Sequence, residues 1–184
     1  MSGNANGQDR KLPWLSPHEA LNRQFSRQAG EMTRAVAQVE FTRRLGFRVG
    51  NIGLLIGEHA TSELSDMLAI CPIPNTATWL VGIINLRGNL VPVFDLNGLL
   101  KIAQGSERTK MLLILGEGET AGAIIIYDYP RHVTLTEEDK LQTLPPLSDI
   151  LNPFITVGYE KEKQMWFNFD HLGFFQAIAP KVAA

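Results

Sequence analysis

Few side chains in this sequence have the type and spacing to do chemistry together. The four histidines, His18, His59, His132 and His171, show no metal-ligand spacing with one another or with the single cysteine, Cys71. Cys71 lies between Ile70 and Pro72 with no evident base, so it reads as a small buried hydrophobe. Gly116 and Gly118 alternate with Glu117 and Glu119, whose carboxylates would repel a phosphate held in a glycine loop. No serine stands in a nucleophile-elbow context. Asp95, Asp128 and Asp170 each end an apolar run, a position from which an aspartate caps the following turn. The inventory argues against an enzyme and leaves one charge to explain.

That charge is Arg87. It interrupts the stretch WLVGIINLRGNLVPVFDL, Trp79 to Leu96, in which the apolar runs Leu80 to Leu86 and Leu90 to Leu96 flank Arg87, Gly88 and Asn89. Gly88 accepts positive φ freely and Asn89 tolerates it, so the stretch reads as a β-hairpin. Its arms are almost continuously apolar, which predicts that both faces are covered. An unpaired arginine cannot be buried at such a tip without a large cost. Arg87 is therefore paired with a carboxylate, exposed for a partner, or both.

The surrounding chain must position that tip. Ser16, Pro17 and Glu19 form a helix-start signature, and Leu21, Phe25, Met32, Val36 and Val39 recur at helical spacing, predicting an amphipathic helix after a polar tail. From Leu45 the period becomes that of strands. Leu45 to Val49 and Ile52 to Ile56 flank Gly50 and Asn51 as a hairpin, and the segment from His59 to Ile73, ending near Pro72 and Pro74, reads as an edge or surface loop. The Arg87 hairpin follows, then a short helical turn. The second half repeats the plan. Met111 to Leu115 and Ala121 to Tyr127 form a hairpin, Tyr129 to Leu135 adds a strand, and a loop with Pro145 and Pro146 leads to Phe154 to Tyr159 and Gln164 to Phe169. Each half closes on an aspartate and an apolar turn: Asp95 with Leu99 and Leu100, Asp170 with Phe174 and Phe175. The repeat predicts two small β-barrels of like design, one around residues 41–100 and the other around 111–175. Trp166, Phe167 and Phe169 fill the second core and make no base-stacking platform.

With 184 residues, 45% apolar and 20% charged, the chain can bury a sizeable core. A net charge of −2 without a basic tract gives no footprint for nucleic acid or anionic membrane. No run reaches the roughly 18 apolar residues of a spanning helix, and the first residues lack the apolar centre of a signal peptide. A lone cysteine fits a reducing compartment, so the expected address is cytoplasmic.

The run Gly82, Ile83, Ile84, Asn85, Leu86, Arg87, Gly88, followed by Pro92, Val93, Phe94, Asp95, Leu96, resembles the signature of CheW-like domains. The resemblance extends over residues 41–178, and the helix-bearing segment 1–40 with the GFRVGNIGLLI hairpin looks most like the PilI branch, the adaptors of type IV pilus twitching systems. It implies an all-β fold of two interlocked five-stranded barrels with short connecting helices, no catalysis and no cofactor. The implied partners are the cytoplasmic tip of a methyl-accepting chemoreceptor and the regulatory domain of a CheA-type histidine kinase, in membrane-associated arrays, without membrane insertion. Alignment through NLRG places Glu63 where members carry an acid able to pair with Arg87. Arg87, Glu63, Asn85, Gly88 and Gly82 form the expected interaction site, with Asn85 bonding backbone near the turn and Gly82 permitting close backbone approach. A small-molecule-sensing β-barrel is the rival reading.

Overall fold

A computed structural model of the chain describes residues 40–102 and 109–178. The polar tail and the helix expected before Glu40 lie outside the described residues. Ten strands account for most of the rest: β1 (Phe41–Val49), β2 (Ile52–Leu55), β3 (Ser62–Asp66), β4 (Leu80–Leu86), β5 (Asn89–Phe94), β6 (Met111–Leu115), β7 (Gly122–Ile126), β8 (Arg131–Thr136), β9 (Ile155–Lys161) and β10 (Gln164–Phe169). Short helices at Leu96–Leu99 and His171–Ile178 follow β5 and β10. Each begins after an aspartate that caps it: Asp95 accepts from the Asn97 and Gly98 amides, and Asp170 from the Gly173 amide.

The strands form two five-stranded sheets, sheet A in the order β8-β1-β2-β10-β9 and sheet B in the order β3-β6-β7-β5-β4. Neither half of the repeat read from the sequence builds its own barrel. The hairpin β1–β2 leaves the first half and joins β8, β9 and β10 of the second, while β6–β7 leaves the second half and joins β3, β4 and β5. Each exchanged hairpin docks in the same way, through a parallel pairing of β2 with β10 or of β7 with β5. The segments 41–100 and 111–175 therefore interlock through exchanged hairpins.

Both sheets also close alike. Beyond β3, Cys71 exchanges backbone hydrogen bonds of 2.8 and 2.9 Å with Ile83 of β4. Beyond β8, Lys140 bridges to Tyr159 of β9, and the Leu141 amide donates to the Gly158 carbonyl at 2.9 Å. Edge strands that would be open for pairing are tied across the gap.

Three apolar cores result. The largest lies between the sheets, where Phe47, Leu54, Phe94, Leu113, Ile124, Phe167 and Phe174 meet. Inside sheet B, Ile84, Val91, Val93, Leu112, Ile114 and Ile125 make a wholly aliphatic core. Inside sheet A, Trp166 packs with Leu55, Val133 and Leu135.

Ser62–Asp66, inside the segment read as an edge or surface loop, is an edge strand paired with β6, and its alternating exposure is that of a strand with one wet face. Two further local expectations are corrected. Cys71 is exposed, because its backbone rather than its side chain joins β4. The arms of the Arg87 hairpin are buried only at their base; near the tip Leu90 is 71% exposed.

Candidate functional site

The tip of the β4–β5 hairpin is a two-residue turn made by Arg87 and Gly88, with φ of 53° and 91°. Two consecutive positive φ values belong to the primed turns whose twist matches the flanking strands. Asn89, expected in the turn, is the first residue of β5 and pairs with Leu86. Asn85 holds the turn: its Oδ1 accepts from the Gly88 amide at 2.8 Å. The left-handed conformation is therefore borne by an arginine, at a cost of about 1–2 kcal/mol that glycine would avoid.

Arg87 reaches across the barrel gap to β3. Its Nη1 and Nη2 donate to Glu63 Oε2 and Oε1 at 2.9 and 2.8 Å, a two-point fork-to-carboxylate contact. The arginine side chain remains 74% exposed and the glutamate 35%. In such solvent the pair contributes little to stability, on the order of 0–1 kcal/mol, but it fixes the guanidinium in one place. Arg87 is thus paired with a carboxylate and still exposed.

Gly82 lies at the other end of β4 with φ of 150°, and a Cβ there would stand 2.3 Å from the Cys71 carbonyl oxygen. The close approach expected at this glycine is thus made within the chain, to the segment that closes the sheet. Arg87, Glu63, Asn85 and Gly88 come together at the tip; Gly82 supports the strand that carries them.

Sequence reasoning missed the neighbours of this tip. Thr61 donates to Glu117 at 2.6 Å, and the Gly116 amide donates to the Thr61 carbonyl, which pins the β6–β7 connection beside β3. A cleft of about 250 Å³ opens there, floored by Leu86, Val91 and Ile114 and rimmed by Arg87, Glu63 and Glu117. Leu90, counted as core from its type, adds an exposed apolar side chain.

The perturbed acids and bases lie away from the tip. The Asp139 carboxyl is held below its ordinary range, chiefly by its hydrogen bond from Lys161 and also by bonds from Thr136. Burial pushes His171 down, against a smaller upward pull from Asp170. Among the described residues no three His, Cys, Asp or Glu side chains are grouped to hold a metal ion, and no helix is long and apolar enough to cross a membrane.

Fold and site together define a module of two interlocked β-barrels that presents a charged hairpin tip held by an ion pair. The model of the CheW-like domain matches residues 43–179, and the chain belongs to that family. It is 29% identical to protein PilI of Pseudomonas aeruginosa over 126 residues, covering 68% of this chain and 70% of that protein. It is 20% identical to the chemotaxis protein CheW of Rhizobium meliloti over 104 residues, 56% of this chain and 67% of the relative. Its fold matches the crystal structure of the scaffolding protein TtCheW from Thermoanaerobacter tengcongensis with a TM-score of 0.57 at 20% identity, over 70% of this chain and 83% of that one.

Proposed function

We propose that this chain is a non-catalytic adaptor that couples a methyl-accepting chemoreceptor to a CheA-type histidine kinase in chemotaxis or twitching-motility signalling. Membership of the CheW-like family supports the adaptor class, and the likeness to PilI supports the pilus branch. The receptor's cytoplasmic tip and the kinase's regulatory domain are the partners assigned. The work is carried out in the cytoplasm at membrane-associated arrays. We assign docking to residues 41–178 and treat residues 1–40 as a separate segment.

One observation carries the site. Arg87 occupies a left-handed position, is fixed by two hydrogen bonds to Glu63, and still exposes most of its side chain. A fork that only pinned the hairpin would need neither the exposure nor the backbone strain. Held there, its remaining N–H groups meet a partner's carbonyl or carboxylate with little further ordering.

The test is the affinity of the full chain for each partner, measured with Arg87→Ala. The variant retains the circular dichroism of the parent and loses about 1–3 kcal/mol of binding to the receptor tip or the kinase domain. Unchanged affinity for both would remove Arg87 from the site.

A further inference from the structure

The strand registers make the two barrels superimposable residue by residue, and the charged positions at their mouths come out reversed. In sheet B, Glu63 faces Ile114, Ile114 faces Ala123 and Ala123 faces Val93. In sheet A, Arg131 faces Gly46, Gly46 faces Leu55 and Leu55 faces Asn168. Arg131 therefore holds the place of Glu63. Counting back along β10 and β5, Gln164 holds the place of Asn89, Trp166 that of Val91 and Met165 that of Leu90. The two-residue turns correspond as well: Glu162 and Lys163, with φ of 52° and 60°, stand where Arg87 and Gly88 stand. An arginine tip over a glutamate becomes a glutamate tip over an arginine.

The reversed pair does not close on itself. Arg131 lies 5.0 Å over the Trp166 ring and donates through Nη2 to Gln164 Oε1. Neither contact neutralises its charge, and among the described residues no carboxylate is paired with it. Glu162 lines the same cleft, about 240 Å³ in volume, together with His132, Thr134 and Lys161. The Lys161 charge is already met by Asp139 at 2.9 and 3.0 Å. What remains unanswered is a guanidinium lying 5.0 Å over an indole at the barrel mouth.

We propose that this mouth is a second docking surface, for a protein segment that presents a carboxylate, and that Arg131 is its specificity-determining residue. The inference rests on the adaptor reading in that it assigns the second of the two surfaces an adaptor needs. Trp166 beneath it and Gln164 beside it hold the fork in place for a two-point contact with the incoming carboxylate.

The full chain is titrated with the peptide Ac-LEELDEL-amide and, separately, with Ac-LQQLNQL-amide, and the indole N–H of Trp166 is followed by NMR. The acidic peptide shifts that signal saturably and the amide peptide does not. Arg131→Gln weakens the acidic peptide at least tenfold, Arg131→Lys by less, and Arg87→Gln leaves it unchanged; unchanged backbone spectra show that each variant is folded. Equal shifts from both peptides, an Arg131→Gln titration that overlays the parent, or a Trp166 shift that follows protein concentration alone and so reports self-association would each overturn the inference. If Arg131→Gln has no effect on the peptide while Arg87→Ala still weakens receptor or kinase binding, this inference falls and the adaptor reading stands. If Arg87→Ala leaves both partner affinities unchanged, the proposed first site falls whatever the peptide shows.

Discussion

The two barrels share strand order, a parallel junction and a bridged gap, yet they are filled by opposite means. The fully buried side chains inside sheet B, from Ile84 to Ile125, are all aliphatic, and its arginine stands outside on the tip. Sheet A is filled mainly by one indole, for which two strands give up their side chains: a Cβ at Gly46 or Gly53 would stand 2.7 or 2.5 Å from Trp166. Polar groups enter this second barrel as well, and Arg48 Nη1 and Asn168 Oδ1 are buried without hydrogen-bond partners among the described residues. Where the interior is aliphatic and close-packed, the tip above it is held in one geometry. Where a single ring replaces several side chains, the mouth keeps unsatisfied polar capacity. The same topology thus yields a rigid, self-paired end and an end with charge to spare.

The largest test of that contrast is truncation at the equivalent interior positions. Trp166→Ala should cost about 3–5 kcal/mol and Val91→Ala about 2 kcal/mol, read by urea denaturation. Equal costs would mean that the barrels are filled alike. Next come the closures. Gly82→Val sets a branched side chain against the Cys71 carbonyl, which cannot move without opening sheet B, and should cost about 3 kcal/mol. Gly158→Ala in sheet A meets flexible ends of Leu141 and Leu144 first, at 2.9 Å, and should cost about 1 kcal/mol. Reversal of that order would show that the bridged gap in sheet B is the softer one.

Smaller effects belong to the charges. Arg87→Ala should change stability by less than about 1 kcal/mol, because both partners are wet. Among these ion pairs, the Asp139–Lys161 contact near the sheet A closure is the one whose carboxyl is shifted. A carboxyl whose folded pKa is depressed contributes stability that is complete above its unfolded value, near 3.9, and is lost as pH falls through the lower folded value. Denaturation midpoints should therefore decline below about pH 4, and less steeply in Lys161→Ala, where the leading cause of the depression is gone. An unchanged acid profile in that variant would assign the effect to the Thr136 bonds instead.

Much of this fold was legible in the sequence because the repeat is written in local signals. Turn residues at Gly50 and Gly88, aspartate caps at Asp95 and Asp170, and runs of β-branched residues each report on a few neighbours. The hairpin exchange was not legible from periodicity, since a strand's apolar pattern is the same whichever sheet receives it. For β3 the sequence left edge and loop open, because its polar side chains carry little strand signal while its backbone completes a ladder. The pairing of Glu63 with Arg87 was reachable only through the family motif, being separated by 24 residues. Arg131 gave no sign, because its importance lies in equivalence to Glu63 and that equivalence exists only once the registers are known.

The central claim is that Arg87 is positioned for a partner and does more than pin its own hairpin. The most direct measurement is the affinity of the charge-exchanged double variant, Arg87→Glu with Glu63→Arg, for the receptor tip and the kinase regulatory domain. The exchange keeps an ion pair across the same gap, so the fold and its urea midpoint should stay within about 1 kcal/mol of the parent. The account predicts that binding to at least one partner nevertheless weakens tenfold or more. Full affinity for both, with the pair exchanged and the fold intact, would show that the tip is structural and that the docking surface lies elsewhere.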